Sequence, residues 1–521
     1  MFVLLSVVFS AIGFVYLSSC MSGSFEAGLY SFVYNSLSFV WVVDQVSLIS
    51  ACMLIICSSF ALIYCSHYFW HDENGLSLFK LVVMFVGVMM FLIFSNSLVL
   101  SLIFWEYLGF VSFLLILFYS NMSSLRAALI TLASSRFGDV ALFVVLAVIL
   151  RYDVDVVYFG WVLLVGILLV LLTKSASFPF VAWLLEAMRA PTPVSSLVHS
   201  STLVAAGVWF CLRYVDLVNG VCIVWLFIFS IVSILISGWC AYKYEDLKKI
   251  VALSTCNNIA WCLVFFVCGS VDLALYQLIS HGVSKCFLFM LVGDVMSGSG
   301  GSQSAAGVYL TRYYGRCGTF LLGFLILSLC GLPFIGIFFS KHYMFGSLCG
   351  VTWNVVCGCF VFLGFLLSYV YSFRFVFLLC DSVRGLSLGW SSNFFLIAGL
   401  VVLGSVINLV CVGSMEEANL LGVYGSVGFL LIQVLGAYWG WLGYSKSVAS
   451  IWDYWLWGNS LVVAWCYWLF WKVQSVFKLG IYRWEILLVK LVSSLLFLRL
   501  SIYSVSAVVA GLVFILFFVV F

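Results

Sequence analysis

Runs of about 20 apolar residues, the length a helix needs to cross a bilayer, recur along nearly the whole chain and are separated by short charged or Gly/Ser/Asn-rich turns. Of the 521 residues, 65% are hydrophobic and only 8% are charged, so the chain cannot cover a soluble globule with polar surface. A membrane barrel would show alternating polar and apolar residues, which these runs lack. The sequence therefore predicts an all-α polytopic membrane protein.

We predict about fifteen membrane crossings from the positions of these runs. They lie near residues 1–19, 42–66, 78–95, 97–119, 124–150, 157–189, 194–213, 220–241, 247–268, 270–296, 317–345, 351–380, 391–413, 421–443 and 502–521. The resulting organisation is N-terminal transmembrane helices (1–96), a first half (97–217), a second half (218–380), additional transmembrane helices (381–445), a lateral amphipathic helix (446–500) and a C-terminal anchor helix (501–521).

The lateral helix is predicted from the composition between Lys446 and Arg499. This stretch holds seven of the twenty tryptophans, and its charged residues recur too often for lipid-buried spans. Tryptophan with spaced cations is typical of a helix that lies at the membrane interface, where about 50 residues would reach roughly 75 Å. Because the stretch is still rich in Leu and Val, two ordinary crossings with basic flanks are the alternative.

Basic residues concentrate in alternate loops. The positive-inside rule makes the more basic side the matrix or cytoplasmic side, which places the N-terminus there and the C-terminus opposite. The loops of this side contain Arg126, Arg189, Lys243, Lys248, Lys249, Arg312, Arg316, Arg384 and Lys446.

A lone Lys174 and a lone His199 lie in apolar sequence that also carries Pro179, Pro191 and Pro193, three of the four prolines of the chain. A proline removes a helical hydrogen bond, and at membrane depth the freed carbonyl needs a partner in protein or water. An ionisable residue facing lipid would cost about 2.5 to 3.5 kcal/mol. The pattern therefore indicates a broken helix that lines part of an ion or proton path.

The fourth proline, Pro333, precedes another lysine in an apolar run, Lys341. Both proline-bearing regions thus carry a nearby membrane lysine. This weak internal similarity favours a transporter built from two related halves with broken helices at Pro179 and Pro333.

Further ionisable residues fall within apolar runs. Glu106 is near the middle of its span, and His281 and Lys285 are four residues apart on one helical face. We expect these groups to point into a protein interior and to serve function. Arg136 and Asp139, three residues apart, either neutralise each other or tune the charge of the path.

A relay of Glu and Lys is suited to moving protons, because desolvation and a nearby carboxylate act on a lysine in opposite directions. At about 7 Å and an effective dielectric constant near 20, the pair interaction is roughly 2.4 kcal/mol, or about 1.7 pKa units. Separating the charges of Glu106 and Lys174 would therefore promote release of the lysine proton.

Nineteen cysteines are scattered through the apolar runs without a CxxC pair. We interpret them as small buried hydrophobes and expect no haem, iron–sulfur cluster or zinc. The net charge of +3 is too small to indicate a nucleic-acid partner.

The segment TKSASFPFVAWLLEAMRAPTPVSSLVHSSTLVAAGVW closely resembles the signature of the NADH dehydrogenase subunit 5 family, the distal antiporter-like subunits of mitochondrial respiratory complex I. The resemblance extends over most of the chain. It includes VVDQVSL, FWEYLGFVSFLLI, SRFGDVAL, YEDLKKIVALST, SHGVSKCFLF and GLPFIGIFFSK.

The resemblance implies two antiporter-like halves and a role in proton translocation. Glu106 and Lys174 would form the coupled pair of the first half-channel, and His199 would relay protons toward the middle. The central axis would continue toward the exit through His281, Lys285 and Lys341, while Arg136 and Asp139 would form a supporting ion pair.

The family also implies cofactors and partners outside this chain. NADH, FMN, iron–sulfur clusters and ubiquinone would be bound by other subunits, with no cofactor or metal in this one. Its partners would be other complex I subunits, especially neighbouring antiporter-like subunits along the lateral helix, and phospholipids such as cardiolipin. The few prolines and abundant Phe, Val, Gly and Cys are typical of a T- and G-rich organelle genome, which favours the mitochondrial inner membrane.

Some positions depart from the family pattern. Tyr107 replaces a glycine, Leu185 replaces a proline, and Asn257 and Asn258 replace a serine and a glutamine. Gln277 stands one turn before His281, where many relatives carry a second histidine.

Two other functions are consistent with the residues. One is an ion-translocating subunit of a multi-subunit Na+/H+ antiporter, a class that resembles this family. The other is a structural scaffold whose buried charges only hold helices together. NADH-linked activity of the purified complex would distinguish a complex I subunit from an antiporter subunit. If the chain is only a scaffold, neutral substitution of Lys174 or Glu106 should impair assembly and leave the number of protons pumped per electron unchanged.

Overall fold

The computed structural model describes residues 25–29, 39–69, 75–151, 160–218, 220–268, 271–308, 315–333, 335–350, 355–380, 423–445 and 467–478, with 484, 486–488 and 490. The chain divides into two compact units, 1–459 and 460–521, which are described separately.

The first unit is built of helices that follow one another through short connections. In chain order they are α1 (Gln45–Tyr68), α2 (Gly75–Phe94), α3 (Leu98–Leu117), α4 (Met122–Arg151), α5 (Gly160–Lys174), α6 (Ala182–Ala187), α7 (Thr192–Arg213), α8 (Gly220–Lys243), α9 (Leu247–Val267), α10 (Val271–Gly298), α11 (Gly315–Cys330), α12 (Phe338–Gly350), α13 (Val355–Cys380) and α14 (Val423–Ser445).

Among the described residues, ten helices are long and apolar enough to cross a membrane. The prediction of a polytopic helical membrane protein is therefore confirmed. The predicted spans at 1–19, 391–413 and 502–521 lie outside the described residues.

A short antiparallel hairpin precedes the first described helix, and the sequence analysis did not predict it. Strands β1 (Phe25–Leu29) and β2 (Phe39–Val43) pair with Phe25 opposite Val43. The brief apolar run of β-branched and aromatic residues in β2 cannot be told from a helical segment by periodicity alone, and without β2 the pairing of β1 is not visible in the sequence. After β2, Asp44 caps α1 through the Ser47 backbone, and Arg213 at the end of α7 forms an ion pair with Asp44.

Two pairs of short helices flank irregular backbone in the middle of apolar sequence. α5 ends at Lys174 and α6 begins at Ala182, with Pro179 between them. α11 ends at Cys330 and α12 begins at Phe338, with Pro333 in the connection. Gly331 adopts φ +83, a conformation that a side chain would oppose.

The helices α7 and α9 form the interior of the described part. Nearly every residue of both is buried, so polar side chains on them face other helices rather than lipid. The middle of α7, Ser195–Thr202, is wound as a π-helix. Such loosened turns commonly occur at functional sites.

α7 passes very close to the irregular segment after α5. A Cβ atom placed on Gly207 would lie 2.9 Å from the Ser175 backbone nitrogen and 3.2 Å from the Leu171 carbonyl oxygen. Backbone atoms cannot move aside as a flexible side chain can, so only glycine fits here.

We expect Gly207→Ala to lower the unfolding free energy by about 1 to 3 kcal/mol because it overpacks this contact. Gly87→Ala is the matched control, since a Cβ there meets nothing within 4 Å and alanine favours the helix by up to about 1 kcal/mol. Thermal unfolding of the purified protein in detergent measures both changes. Equal midpoints for the two variants would contradict the close approach.

In the second unit, residues 467–478 are helical, and nearly all of their side chains are exposed within this chain. They include Trp468 and Trp471, with Lys472 over the Trp468 ring. The rest of the predicted lateral helix 446–500 lies almost entirely outside the described residues, so its length and course remain a prediction.

Candidate functional site

Four charged side chains from α3, α4 and α5 form one cluster. Lys174, the last residue of α5, is buried with its Nζ 3.7 Å from Asp139 Oδ1. Arg136 forms an ion pair with Glu106, and its Nη1 also lies 3.5 Å from Asp139 Oδ2. The charges in the cluster therefore alternate in sign, from the acidic Glu106 on α3 to the basic Lys174 at the end of α5.

The sequence analysis treated these residues as two separate pairs, and the structure joins them. Asp139 is in ion-pair range of both Arg136 and Lys174, so its interaction with Arg136 is shared with the lysine. Glu106 belongs to the same cluster through Arg136. A change at one end can therefore alter the charge balance at the other.

The surroundings of Lys174 combine polar and aromatic groups. Its Nζ lies 5.0 Å from the ring centre of Trp105, within range of a cation–π interaction. The freed carbonyl of Thr173 accepts a hydrogen bond of 2.9 Å from Trp183 Nε1. The helix break is thus stabilised by an indole, while the lysine itself remains available to Asp139.

Two histidines occupy the middle of the described helices. His199 lies in the π-helical part of α7, and His281 lies on α10 one turn before Lys285. Both are buried, and neither ring nitrogen of either histidine has a hydrogen-bond partner among the described protein atoms. Buried polar groups of folded proteins are generally hydrogen-bonded, so packing alone does not explain these two rings.

Lys285 projects from α10 toward α9. Its ammonium donates to the Ser254 hydroxyl and to the Val251 carbonyl at 3.4 Å. A small cavity beside it is lined by polar and apolar side chains that include Ser254, Asn258, Tyr371 and Ser372. The lysine is therefore held by neutral acceptors rather than by a carboxylate.

Amide side chains add further buried polar groups on α9 and α10. Asn257 and Asn258 are buried on α9, and their amide groups find no hydrogen-bond partner among the described protein atoms. Gln277 accepts a hydrogen bond of 2.5 Å from Ser340, the residue before Lys341. Gln277 therefore links α10 to α12, although an amide cannot take up and release a proton as a histidine does.

Lys341 is held at the second helix break. Its Nζ donates to the Cys330 carbonyl at 2.9 Å and lies within 6.0 Å of the Phe365 and Tyr369 ring centres. The Tyr369 hydroxyl donates to the Gly331 carbonyl at 3.0 Å and is 3.1 Å from Gln433 Nε2. The two carbonyls freed at the break are thus shared between the lysine and a tyrosine.

Sequence reasoning missed several of these contacts. Ser254, Tyr369 and Gln433 carry no charge, and serine and tyrosine are common in membrane helices. A lone glutamine in the apolar run of α14 was the one available signal. The basic residues were recognisable because a charge within apolar sequence is costly and usually serves function.

Comparison with known proteins places most of this arrangement in one family. Residues 95–367 match the family described as NADH:quinone oxidoreductase/Mrp antiporter, TM. This range contains every charged residue discussed in this section, from Glu106 to Lys341, whereas Tyr369 and Gln433 lie beyond it.

One relative and two solved structures illustrate the likeness. The NADH-ubiquinone oxidoreductase chain 5 of Locusta migratoria is 30% identical over 437 residues, which cover 80% of this chain and 76% of that protein. Respiratory complex I from Thermus thermophilus with bound NADH contains a chain with a TM-score of 0.66 at 17% identity, covering 84% of this chain and 94% of that one. The Mrp complex from Dietzia sp. DQ12-45-1b gives a TM-score of 0.63 at 20% identity, covering 88% of this chain and 58% of that one. At these identities the two structures establish a shared fold.

Proposed function

Because this chain belongs to the NADH-ubiquinone oxidoreductase chain 5 family, we propose that it is a proton-translocating membrane subunit of respiratory complex I. It moves protons across the inner mitochondrial membrane through its buried Glu, Lys and His side chains. Electron transfer from NADH to quinone in other subunits drives this movement.

The observation that carries the proposal is the set of ionisable groups that are buried at and between two helix breaks. The set consists of Asp139 and Lys174 at the first break, His199, His281 and Lys285 on α7 and α10, and Lys341 at the second break. Burying each charge costs several kcal/mol unless it is compensated. A scaffold could use apolar residues at lower cost, so a set of titratable groups favours proton transfer.

The cluster of Glu106, Arg136, Asp139 and Lys174 suggests how the movement of a charged side chain promotes release of a proton. Arg136 lies between two carboxylates, those of Glu106 and Asp139. While Glu106 holds Arg136, Asp139 stabilises the charged form of Lys174. If Arg136 moves toward Asp139, the lysine loses part of this stabilisation and releases its proton into the interior. One elementary charge crossing 100 mV requires about 2.3 kcal/mol, which is comparable with the interaction of one such pair.

The outer face of the same cluster supports a neighbouring membrane subunit as partner. The side chains of Arg136 and Glu106 are 45% and 26% exposed, although both lie on membrane-spanning helices. Phe110 and Phe137 are exposed nearby in sequence. Since a charge facing lipid is costly, we infer that an adjoining antiporter-like subunit covers this face. The lateral helix 446–500 and phospholipids such as cardiolipin would add to the attachment.

The proposal assigns different tasks to different subunits. This chain contributes proton transfer, while other subunits bind NADH, FMN, iron–sulfur clusters and ubiquinone. Its N-terminus lies on the matrix side in this arrangement, as the distribution of basic loops predicts.

The fold likeness to the Mrp complex supports one alternative, a Na+/H+ antiporter subunit. Purification through a tag on this chain separates the two functions. We expect the isolated complex to oxidise NADH with quinone and, in vesicles without Na+, to pump protons until an uncoupler is added. Cation exchange that requires Na+ and proceeds without NADH would contradict the proposal.

A further inference from the structure

The helix α14 contributes a polar side chain to the second helix break, although it lies beyond the matched range 95–367. The buried residues of α14 recur every three or four positions, so they form one face of the helix. They are Phe429, Gln433, Gly436, Gly440 and Gly443. Gln433 is the only one of these five whose side chain can form hydrogen bonds. The packed face of α14 therefore presents a single polar group to the rest of the protein.

Two glycines on this face allow α14 to approach α13 closely. Gly436 and Gly440 are four residues apart, a spacing typical of tight helix packing in membranes. A Cβ atom on Gly436 would collide with the Tyr369 side chain, and one on Gly440 would lie 2.8 Å from the Val370 carbonyl oxygen. This approach brings Gln433, one turn before Gly436, to the hydroxyl of Tyr369.

Gln433 and Tyr369 together hold one backbone carbonyl of the break. The Tyr369 hydroxyl donates to the Gly331 carbonyl oxygen at 3.0 Å. Gln433 Nε2 donates to that hydroxyl at 3.1 Å and lies 3.5 Å from the same carbonyl oxygen. Both side chains are buried. The Gly331 carbonyl therefore has two donors within hydrogen-bond distance, of which the tyrosine is the nearer.

Lys341 uses the neighbouring carbonyl. Its ammonium donates to the Cys330 carbonyl oxygen at 2.9 Å. A Cβ atom on Gly331 would lie 3.3 Å from Lys341 Cδ, so the stem of the lysine runs alongside Gly331. The lysine stem is flexible and its ammonium carries three donors. The Gly331 carbonyl would therefore become a second acceptor for Lys341 if its present donors were removed.

We propose that Tyr369 and Gln433 are positioning residues for proton transfer at Lys341. By holding the Gly331 carbonyl, they leave the ammonium with the Cys330 carbonyl as its backbone acceptor. Each hydrogen bond to a charged group favours the charged form, so a lysine with one such acceptor releases its proton more readily than a lysine with two. This inference rests on the proposed function and extends its transfer site to α14.

Removing both donors is the decisive change, because either one can hold the carbonyl when the other is lost. We expect Tyr369→Phe/Gln433→Met to slow proton transfer through this subunit about tenfold, the effect of one additional hydrogen bond to the ammonium. In vesicles of the intact complex, the number of protons pumped per electron should fall. The initial pumping rate should also become more sensitive to replacement of water by D2O, since proton release then limits it.

The single variants test the redundancy of the two donors. Gln433→Met leaves the Tyr369 hydroxyl on the Gly331 carbonyl, whereas Tyr369→Phe leaves only the longer contact of Gln433. Each should impair pumping less than the double variant, and Tyr369→Phe should impair it more than Gln433→Met. If the double variant fails to assemble, this order decides, and equal or reversed effects of the single variants would overturn the proposal.

A merely structural role of the pair predicts a different pattern. The double variant would then inactivate at a lower temperature, while the assembled complex would pump a wild-type number of protons per electron with an unchanged effect of D2O. Tyr64→Phe is the matched control, since it also removes a buried hydroxyl, one that lies 3.4 Å from Thr192 Oγ1 on α7. We expect the control to leave the proton-to-electron ratio unchanged.

Lys341→Met separates failure of the positioning role from failure of the proposed function. A wild-type ratio in the assembled double variant, together with a reduced ratio in Lys341→Met, would overturn the role of Tyr369 and Gln433 and leave the function intact. A normal ratio in Lys341→Met would instead count against the function itself.

Discussion

Lys174→Met should leave the complex assembled but slow proton translocation through this subunit by on the order of a hundredfold, the usual contribution of a group that takes up and releases a proton. Methionine has a similar length and is apolar, so it fills the buried site without carrying a proton. Asp139 keeps Arg136 as a partner at 3.5 Å, which prevents an isolated buried carboxylate. The ratio of protons pumped to electrons transferred, measured in vesicles, should fall.

Lys80→Met is the matched control for this substitution. Lys80 is exposed on α2, so the same chemical change there should not affect the proton-to-electron ratio. An unchanged ratio for Lys174→Met, with native gels showing poor assembly, would favour the scaffold interpretation of the buried charges. A lower ratio with normal assembly would exclude it.

Asp139→Asn should be the most destabilising of the neutral substitutions in the first cluster. Asp139 is the carboxylate in ion-pair range of Lys174, and both side chains are buried. Removing one member of a buried pair typically costs about 3 to 5 kcal/mol, because the other charge is left uncompensated. Glu106→Gln should cost less than Asp139→Asn, since Arg136 keeps Asp139 as a partner at 3.5 Å and no fully buried charge is left without one.

Thermal inactivation of the purified complex measures this difference. The double variant Asp139→Asn/Lys174→Met should recover most of the stability lost in Asp139→Asn, because it removes the orphaned charge as well. Pumping should remain impaired in the double variant. If Asp139→Asn and Glu106→Gln inactivate at the same temperature, the assignment of Asp139 as the partner of Lys174 is wrong.

The charged residues of the site could be identified from the sequence, whereas their pairing could not. Lys174, Lys285 and Lys341 stand out because each interrupts a long apolar run. Arg136 and Asp139 have the spacing of a pair within one helix, and this local interpretation concealed the contact between Asp139 and Lys174. Contacts between helices depend on how the helices pack, which periodicity does not report.

The same limit explains the features that were missed. Strand β2 is short and apolar, so its residues resemble the start of the span predicted at 42–66, whereas β1 lies between the first two predicted spans. The network of Tyr369 and Gln433 around Gly331 joins residues up to 102 positions apart along the chain. By contrast, the membrane class followed directly from composition, since the requirement to satisfy every backbone group in lipid leaves few architectures.

The π-helical winding of Ser195–Thr202 also determines the angle by which the two ends of α7 are rotated relative to each other about the helix axis. A turn of this kind accommodates one residue more than a regular helical turn, and each residue corresponds to a rotation of about 100°. The two ends of α7 are therefore rotated relative to each other by a different angle than in an unbroken helix, and Arg213, beyond the loosened segment, meets Asp44 with this rotation in place. The anchoring of the far end of α7 thus depends on how the segment around His199 is wound.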